Sequence, residues 1–116
     1  MKYLKIDKCE AFNRRLSELA LARNMEPPPA QNTLDLLEVM VNGMPSGGFD
    51  PATMKKRLRL MDVIEQARSN GAADQVGFED ADFEELKACA KSAKWTMLSS
   101  DIVALSDEIE AGGSGS

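Results

Sequence analysis

Chemistry in this sequence would have to come from one of three groups of residues. The first is MKKRLRLMDVIEQAR, residues 54–68, which packs four basic residues into its first six positions. Lys55, Lys56, Arg57, Arg59 and Arg68 are its candidates for gripping an anion, a nucleotide or a nucleic-acid backbone, ligands whose negative charge a basic face would neutralise. The second is EDADFEE, residues 79–85, whose carboxylates suggest a cation site or acid–base work. The third is the pair of cysteines, Cys9 and Cys89, which become nucleophiles or ligands only as thiolates.

Each group meets an elementary objection. On a helical wheel that starts at Met54, Lys55, Lys56 and Arg57 fall at about 100°, 200° and 300°, so three consecutive charges point in three directions. Lys55 and Arg59 share a face, but Asp62 sits beside them, at about 80° on the same wheel, and partly neutralises it. That face reads as a solvated stripe. An EF-hand loop counted from Asp80 needs a ligand at the fifth position, Gly at the sixth and Glu at the twelfth. The chain has Glu84, Glu85 and Lys91 there, and the pattern fails. Acidity at a helix start explains the cluster, because carboxylates favour the positive end of the helix dipole. The cysteines form no CxxC, and the chain has no histidine, the commonest general base and metal ligand. No P-loop, GxGxxG or GxSxG occurs. These observations argue against an enzyme, a metal site and a cofactor, and for reduced, buried cysteines in a cytoplasmic protein.

Net charge is −5, unevenly spread. Residues 1–70 hold 11 Lys and Arg against 9 Asp and Glu; residues 71–116 hold 3 against 10. The acidic last third disfavours double-stranded DNA as a ligand. No apolar run reaches the span of a bilayer, and MKYLKIDKCE does not read as a signal peptide. The closing GGSGS reads as a flexible appended linker, which leaves residues 1–111 as a single helical domain.

The elements that must position these groups follow from caps and periodicity. The pattern predicts a mainly α fold: four to five short helices in a small bundle, with room for a minor two-stranded β element. Tyr3–Ile6 and Gln75–Phe78 are the two candidate strands. Asp7 and Glu10 suggest a capping box for a first helix from Lys8 to about Arg23, with Cys9, Phe12, Leu16, Leu19 and Ala20 inward. A stiff proline-rich connector occupies 27–32 and reads as a spacer. TLDLLEVMVNG, capped at Thr33 and ended by Asn42-Gly43, reads as a second helix with only Asp35 and Glu38 breaking its apolar surround, with a strand as the competing reading because of Val39 and Val41. GMPSGG is a loop. Asp50 and Pro51 then start the third and longest helix, which runs to about Asn70 before Gly71. EDADFEELKACAKSA is the fourth, closed by Trp95, and Ser99 or Ser100 caps a fifth carrying Ile102, Leu105 and Ile109.

The stretch VGFEDADFEELKACAKSAKW, with its acidic helix start, its closing Trp and the basic helix upstream, resembles small accessory proteins of tailed bacteriophages. The likeness covers roughly residues 54–109. It implies a viral accessory role in the host cytoplasm, in virion assembly or in binding and inhibiting a host protein.

The apolar residues of the third helix add an expectation of their own. Val63, Ala67, Leu60, Ile64, Met61, Met54 and Leu58 cover about 220° of arc, more than packing on one surface requires. Together with the nearly all-apolar second helix, this predicts a protein–protein interface at Leu36, Met40, Met54, Leu58, Met61 and Ile64. The expected partners are the chain itself, as a homo-oligomer, and another protein. A nucleotide or nucleic acid held by the third-helix arginines and lysines is the alternative, and no membrane is expected. Arg57 and Arg68 fall inside the apolar arc, where an arginine snorkels or makes a buried ion pair, with 79–85 as candidate partners.

Overall fold

The computed structural model describes residues 1–43, 47–71, 74–95 and 97–115. In chain order they form β1 (Lys2–Lys5), α1 (Glu10–Ala22), α2 (Thr33–Asn42), α3 (Pro51–Ser69), β2 (Gln75–Phe78), α4 (Asp80–Ser92), α5 (Ser100–Glu110) and β3 (Ser114–Gly115). The mainly α fold with a minor antiparallel β element agrees with the sequence pattern. Residues 44–46 of the expected GMPSGG loop lie outside the described residues.

The two expected strands pair. β1 runs antiparallel to β2 with Leu4 opposite Val76 and Tyr3 opposite Gly77. Leu4, Val76 and Phe78 are buried, so one face of the ribbon joins the core. Gly77 has a steric reason: a Cβ there would lie 2.7 Å from the Tyr3 ring, which covers it. On the other side of β1 lies β3, making the sheet order β2-β1-β3. The glycines assigned to a linker therefore take part in the fold. Gly112, at φ +95°, and Gly113 end α5 by donating to Ile109 O and Glu108 O, the two bonds of a Schellman turn.

Most helix ends obey local rules. Asn32 caps α2, one residue before the expected Thr33, and Asp35 returns the bond to the Asn32 amide as a capping box. Asp50 caps α3 by accepting from the Thr53 amide, a bond that also holds its carboxyl below the usual range. Ser99 caps α5. Asn24 closes α1 in the left-handed region at φ 55°, with its own amide donating to Leu21 O and the Met25 amide to Ala20 O. Asn tolerates that conformation better than most residues.

The start of α1 departs from the expectation. Asp7 does not cap it; its backbone exchanges bonds with Thr33, its amide donating to Oγ1 at 2.8 Å and its carbonyl accepting the Thr33 amide at 3.1 Å. Cys9, at φ 55°, occupies the cap position and makes no side-chain cap bond. A carboxylate from α5 does that work: Asp101 Oδ2 accepts the Phe12 amide at 2.8 Å. A cap from another helix is invisible to local sequence rules. Asn13 then pins the proline-rich connector, its amide donating to Gln31 O and accepting from Gln31 N, both at 2.8 Å. Met25–Ala30 stay exposed.

The core gathers around α2. Leu34, Leu36, Leu37, Met40 and Val41 are all buried there, against Leu60 and Ile64 of α3, Phe83, Leu86 and Cys89 of α4, and Ile102, Leu105 and Ile109 of α5. Leu36, Met40 and Ile64 are 0% exposed. They are corrected out of the expected interface: α2 is nearly all apolar because its own neighbours surround it, so a second chain cannot reach these three.

Asp101→Ala is expected to lower unfolding free energy by about 1 kcal/mol, the usual worth of a cap, whereas Asp7→Ala, whose side chain bonds only the adjacent Lys8 amide among the described residues, stays within about 0.5 kcal/mol of wild type. Urea denaturation followed by circular dichroism compares the two.

Candidate functional site

α3 carries the candidate residues, and its neighbours sort them by face. α2 runs along one side. There Arg57 donates to Val41 O at 2.8 Å and to Gly43 O at 3.3 Å, two carbonyls at the C-terminal end of α2. A cation suits this negative end of the helix dipole. At the other end of α2, Arg68 takes both carboxylate oxygens of Glu38, at 3.0 and 3.3 Å, with Asp35 Oδ1 at 2.8 Å and Glu65 Oε1 at 2.7 Å. The bonds to Glu38 first and Asp35 next raise the Arg68 pKa further, against the opposing effect of burial, and keep it charged.

α4 lies on the next side. Glu85 sits 3.5 Å from Arg57 Nε and 3.9 Å from Lys56 Nζ, and Asp82 sits 3.4 Å from Arg59 Nε. The Arg57–Glu85 geometry is an ion pair only, since the buried Nε has no hydrogen-bond partner among the described residues. The Arg57 guanidinium also stacks over the Phe49 ring, 5.4 Å from its centroid. Arg57, Arg59 and Arg68 are therefore spent on holding the protomer together, and they do not converge on a common anion site. Arg59 turns to Asp82 instead of the Asp62 that the wheel placed beside it. Lys55 has no ion pair among the described residues.

The acidic run is dispersed in the same way. Asp82 and Glu85 face α3, Glu84 pairs with Lys87 at 3.4 Å, and Asp80 faces the Met1 amino group at 3.4 Å. Among the described residues no group of acids and cysteines is placed to hold a metal ion. Both cysteines are buried and unbridged. Burial pushes the Cys89 thiol up to about 11, against the pull of nearby Arg57, and Glu85 adds to the rise. Burial also raises Cys9, and its contact with Thr33 offsets part of that. Neither thiol is an activated nucleophile. A cleft of about 310 Å³ between α4 and α5 is lined by Glu84, Lys87, Ala90, Lys91, Ser106, Ile109 and Glu110, with its charges mixed in sign.

What remains is the outer face of α3. Met54 and Leu58 are 47% and 58% exposed, while Leu60 and Ile64 one face over are at 0%. Met61 lies at the border, half-buried, with its sulfur 3.8 Å from Asn42 Nδ2. A shallow depression lined by Pro51, Ala52, Lys55, Leu58 and Arg59 runs beside this strip. Of the six expected interface residues the structure thus leaves Met54, Leu58 and the edge of Met61 at the surface. The width of the apolar arc pointed to this excess. The charged residues that share their face of the wheel, Glu65 at about 20° and Asp62 at about 80° from Met54, are the further signal that would have separated Met54 and Leu58 from Leu60 and Ile64.

Among the described residues no helix is long and apolar enough to cross a membrane. No protein-family model, no curated protein and no solved structure matches this chain.

Arg57→Ala is expected to cost about 3 kcal/mol, because it strands Glu85 and two helix-terminal carbonyls. Arg59→Ala, which removes a side chain that is itself 64% exposed, should cost less, about 1 kcal/mol. Equilibrium urea unfolding gives both values. A pH effect follows from Cys89. The unfolded thiol loses its proton near its usual 9.0 and the folded one near about 11, so stability falls as pH rises through that window. The urea midpoint of Cys89→Ala should fall less steeply over the same range.

Proposed function

We propose that this chain is a non-enzymatic, self-associating protein-interaction module that meets its partner through the outer face of α3. The observation that carries the reading is the exposure of Met54 and Leu58 beside a fully enclosed stripe on the same helix. Apolar side chains at neighbouring turns of one helix make a strip, and covering it removes apolar surface from water. Methionine suits such a strip because its unbranched thioether adapts to the surface opposite. The apolar excess that the sequence places on this helix is thus partly unspent within the protomer.

The anion or nucleic-acid reading draws no comparable support. Its three arginines have intramolecular partners, Lys56 shares Glu85 with Arg57, and Lys55 alone of the five has no ion pair among the described residues. The resemblance of residues 54–109 to phage accessory proteins directs the module towards virion assembly or towards a host protein it would bind and inhibit.

Leu58→Asp tests the reading. The side chain is exposed, so the variant is expected to keep the wild-type helical signal by circular dichroism. It is expected to weaken self-association at least tenfold in sedimentation equilibrium, roughly what losing one large apolar contact is worth. An unchanged association constant would show that this face is not used.

A further inference from the structure

We propose that the outer face of α3 packs antiparallel against the same face of a second copy, with Lys55 of each protomer opposite Asp62 of the other. The inference rests on the self-association reading above and adds the occupant, its direction and its register.

Three observations carry it. First, Pro51, Met54, Leu58, Met61 and Glu65 follow one another at alternating steps of three and four residues. This is the rhythm that keeps one line of side chains facing a partner helix. Second, the two flanks of that line differ. On one, Arg57 and Ile64 are buried within the protomer. On the other, Lys55 and Asp62 are exposed and make no ion pair among the described residues. Third, their charges are opposite and they stand one heptad apart. A two-fold axis crossing α3 between Leu58 and Met61 sets Leu58 against Met61 of the second copy. The same operation places Lys55 opposite Asp62, and Asp62 opposite Lys55, at no further cost in design. It also overlaps α3 along nearly its whole length, since the axis falls close to the middle of Pro51–Ser69.

Other arrangements forfeit these pairings. In a parallel pair the solvated flank of one helix faces the buried flank of the other, and Lys55 and Asp62 do not meet. Sliding the antiparallel pair by one heptad sets Lys55 against Lys55, a like-charge contact that selects against that register. The contact is self-complementary, so it closes at a dimer and does not propagate.

A charge swap on the full chain tests this by sedimentation equilibrium at low salt, where exposed charges are least screened. Lys55→Glu and Asp62→Lys should each weaken the dimer about tenfold, because each reversal turns both symmetry-related attractions into repulsions. The double variant should return to within about twofold of wild type. Both side chains replaced are at the surface, and circular dichroism checks that folding is intact. A dimer abolished by Leu58→Asp yet indifferent to both charge reversals overturns the antiparallel register while leaving self-association in place. Single reversals that weaken the dimer with no recovery in the double variant also overturn the pairing. A wild-type chain that stays monomeric overturns the self-association reading and this inference together.

Discussion

The grip of two arginines on the two ends of α2 is the constraint on which the rest of the structure depends. α2 is so apolar that it must lie inside, yet a helix inside a protein brings its unpaired terminal groups with it. Asn32 and Asp35 satisfy the first amides. Arg57 takes carbonyls at the last turn, and Arg68 ties Asp35 and Glu38 to α3. α3 is thereby fixed along the full length of α2. The same Arg57 draws in Glu85, so α4 is set by the charge that already holds α2. One side chain closes the C-terminal end of one helix and positions another, and so its removal is costlier than that of a surface arginine nearby.

That arrangement also decides what the surface can do. A basic run on an acidic protein suggests phosphate until its partners are counted. Arg57, Arg59 and Arg68 each end at a carboxylate of this same protomer, and α3 is turned by them so that Leu60 and Ile64 face inward. The rotation that buries those two leaves Met54 and Leu58 outside. Electrostatics inside the protomer and apolar surface outside it are consequences of one orientation of one helix. Lys55 and Asp62, left over from the internal pairing, then stand where they can choose a direction and a register for whatever covers the strip.

Much of this was legible in the residues. Asp50-Pro51 and Ser99 fixed the starts of α3 and α5 because capping is a local matter, settled within a few residues. The inward stripe of α5, Ile102, Leu105 and Ile109, followed from period alone. The errors arose where the decisive partner is distant in sequence. Asp7 next to a helix start looked like its cap, but the cap comes from Asp101, and nothing near Phe12 announces it. Gly112 and Gly113 resembled a tail because glycine serves equally in a linker and in a Schellman turn; only β1 waiting beyond them distinguishes the two. Leu36, Met40 and Ile64 went astray for a related reason. An all-round apolar helix is equally consistent with a central position and with a partner chain, and periodicity cannot tell these apart. For α3 the arc is wider than one surface needs, and Met54 and Leu58 are the part of it that stays exposed.

Dilution of the isotopically labelled chain, followed by backbone and methionine-methyl NMR from millimolar to low micromolar concentration, tests the central claim most directly. The account predicts resonance shifts concentrated at Met54, Lys55, Leu58, Met61 and Asp62, with Met40 and Ile64 unmoved in the enclosed core. Spectra that do not change with concentration, or changes centred on another face such as exposed Val103 of α5, would contradict it.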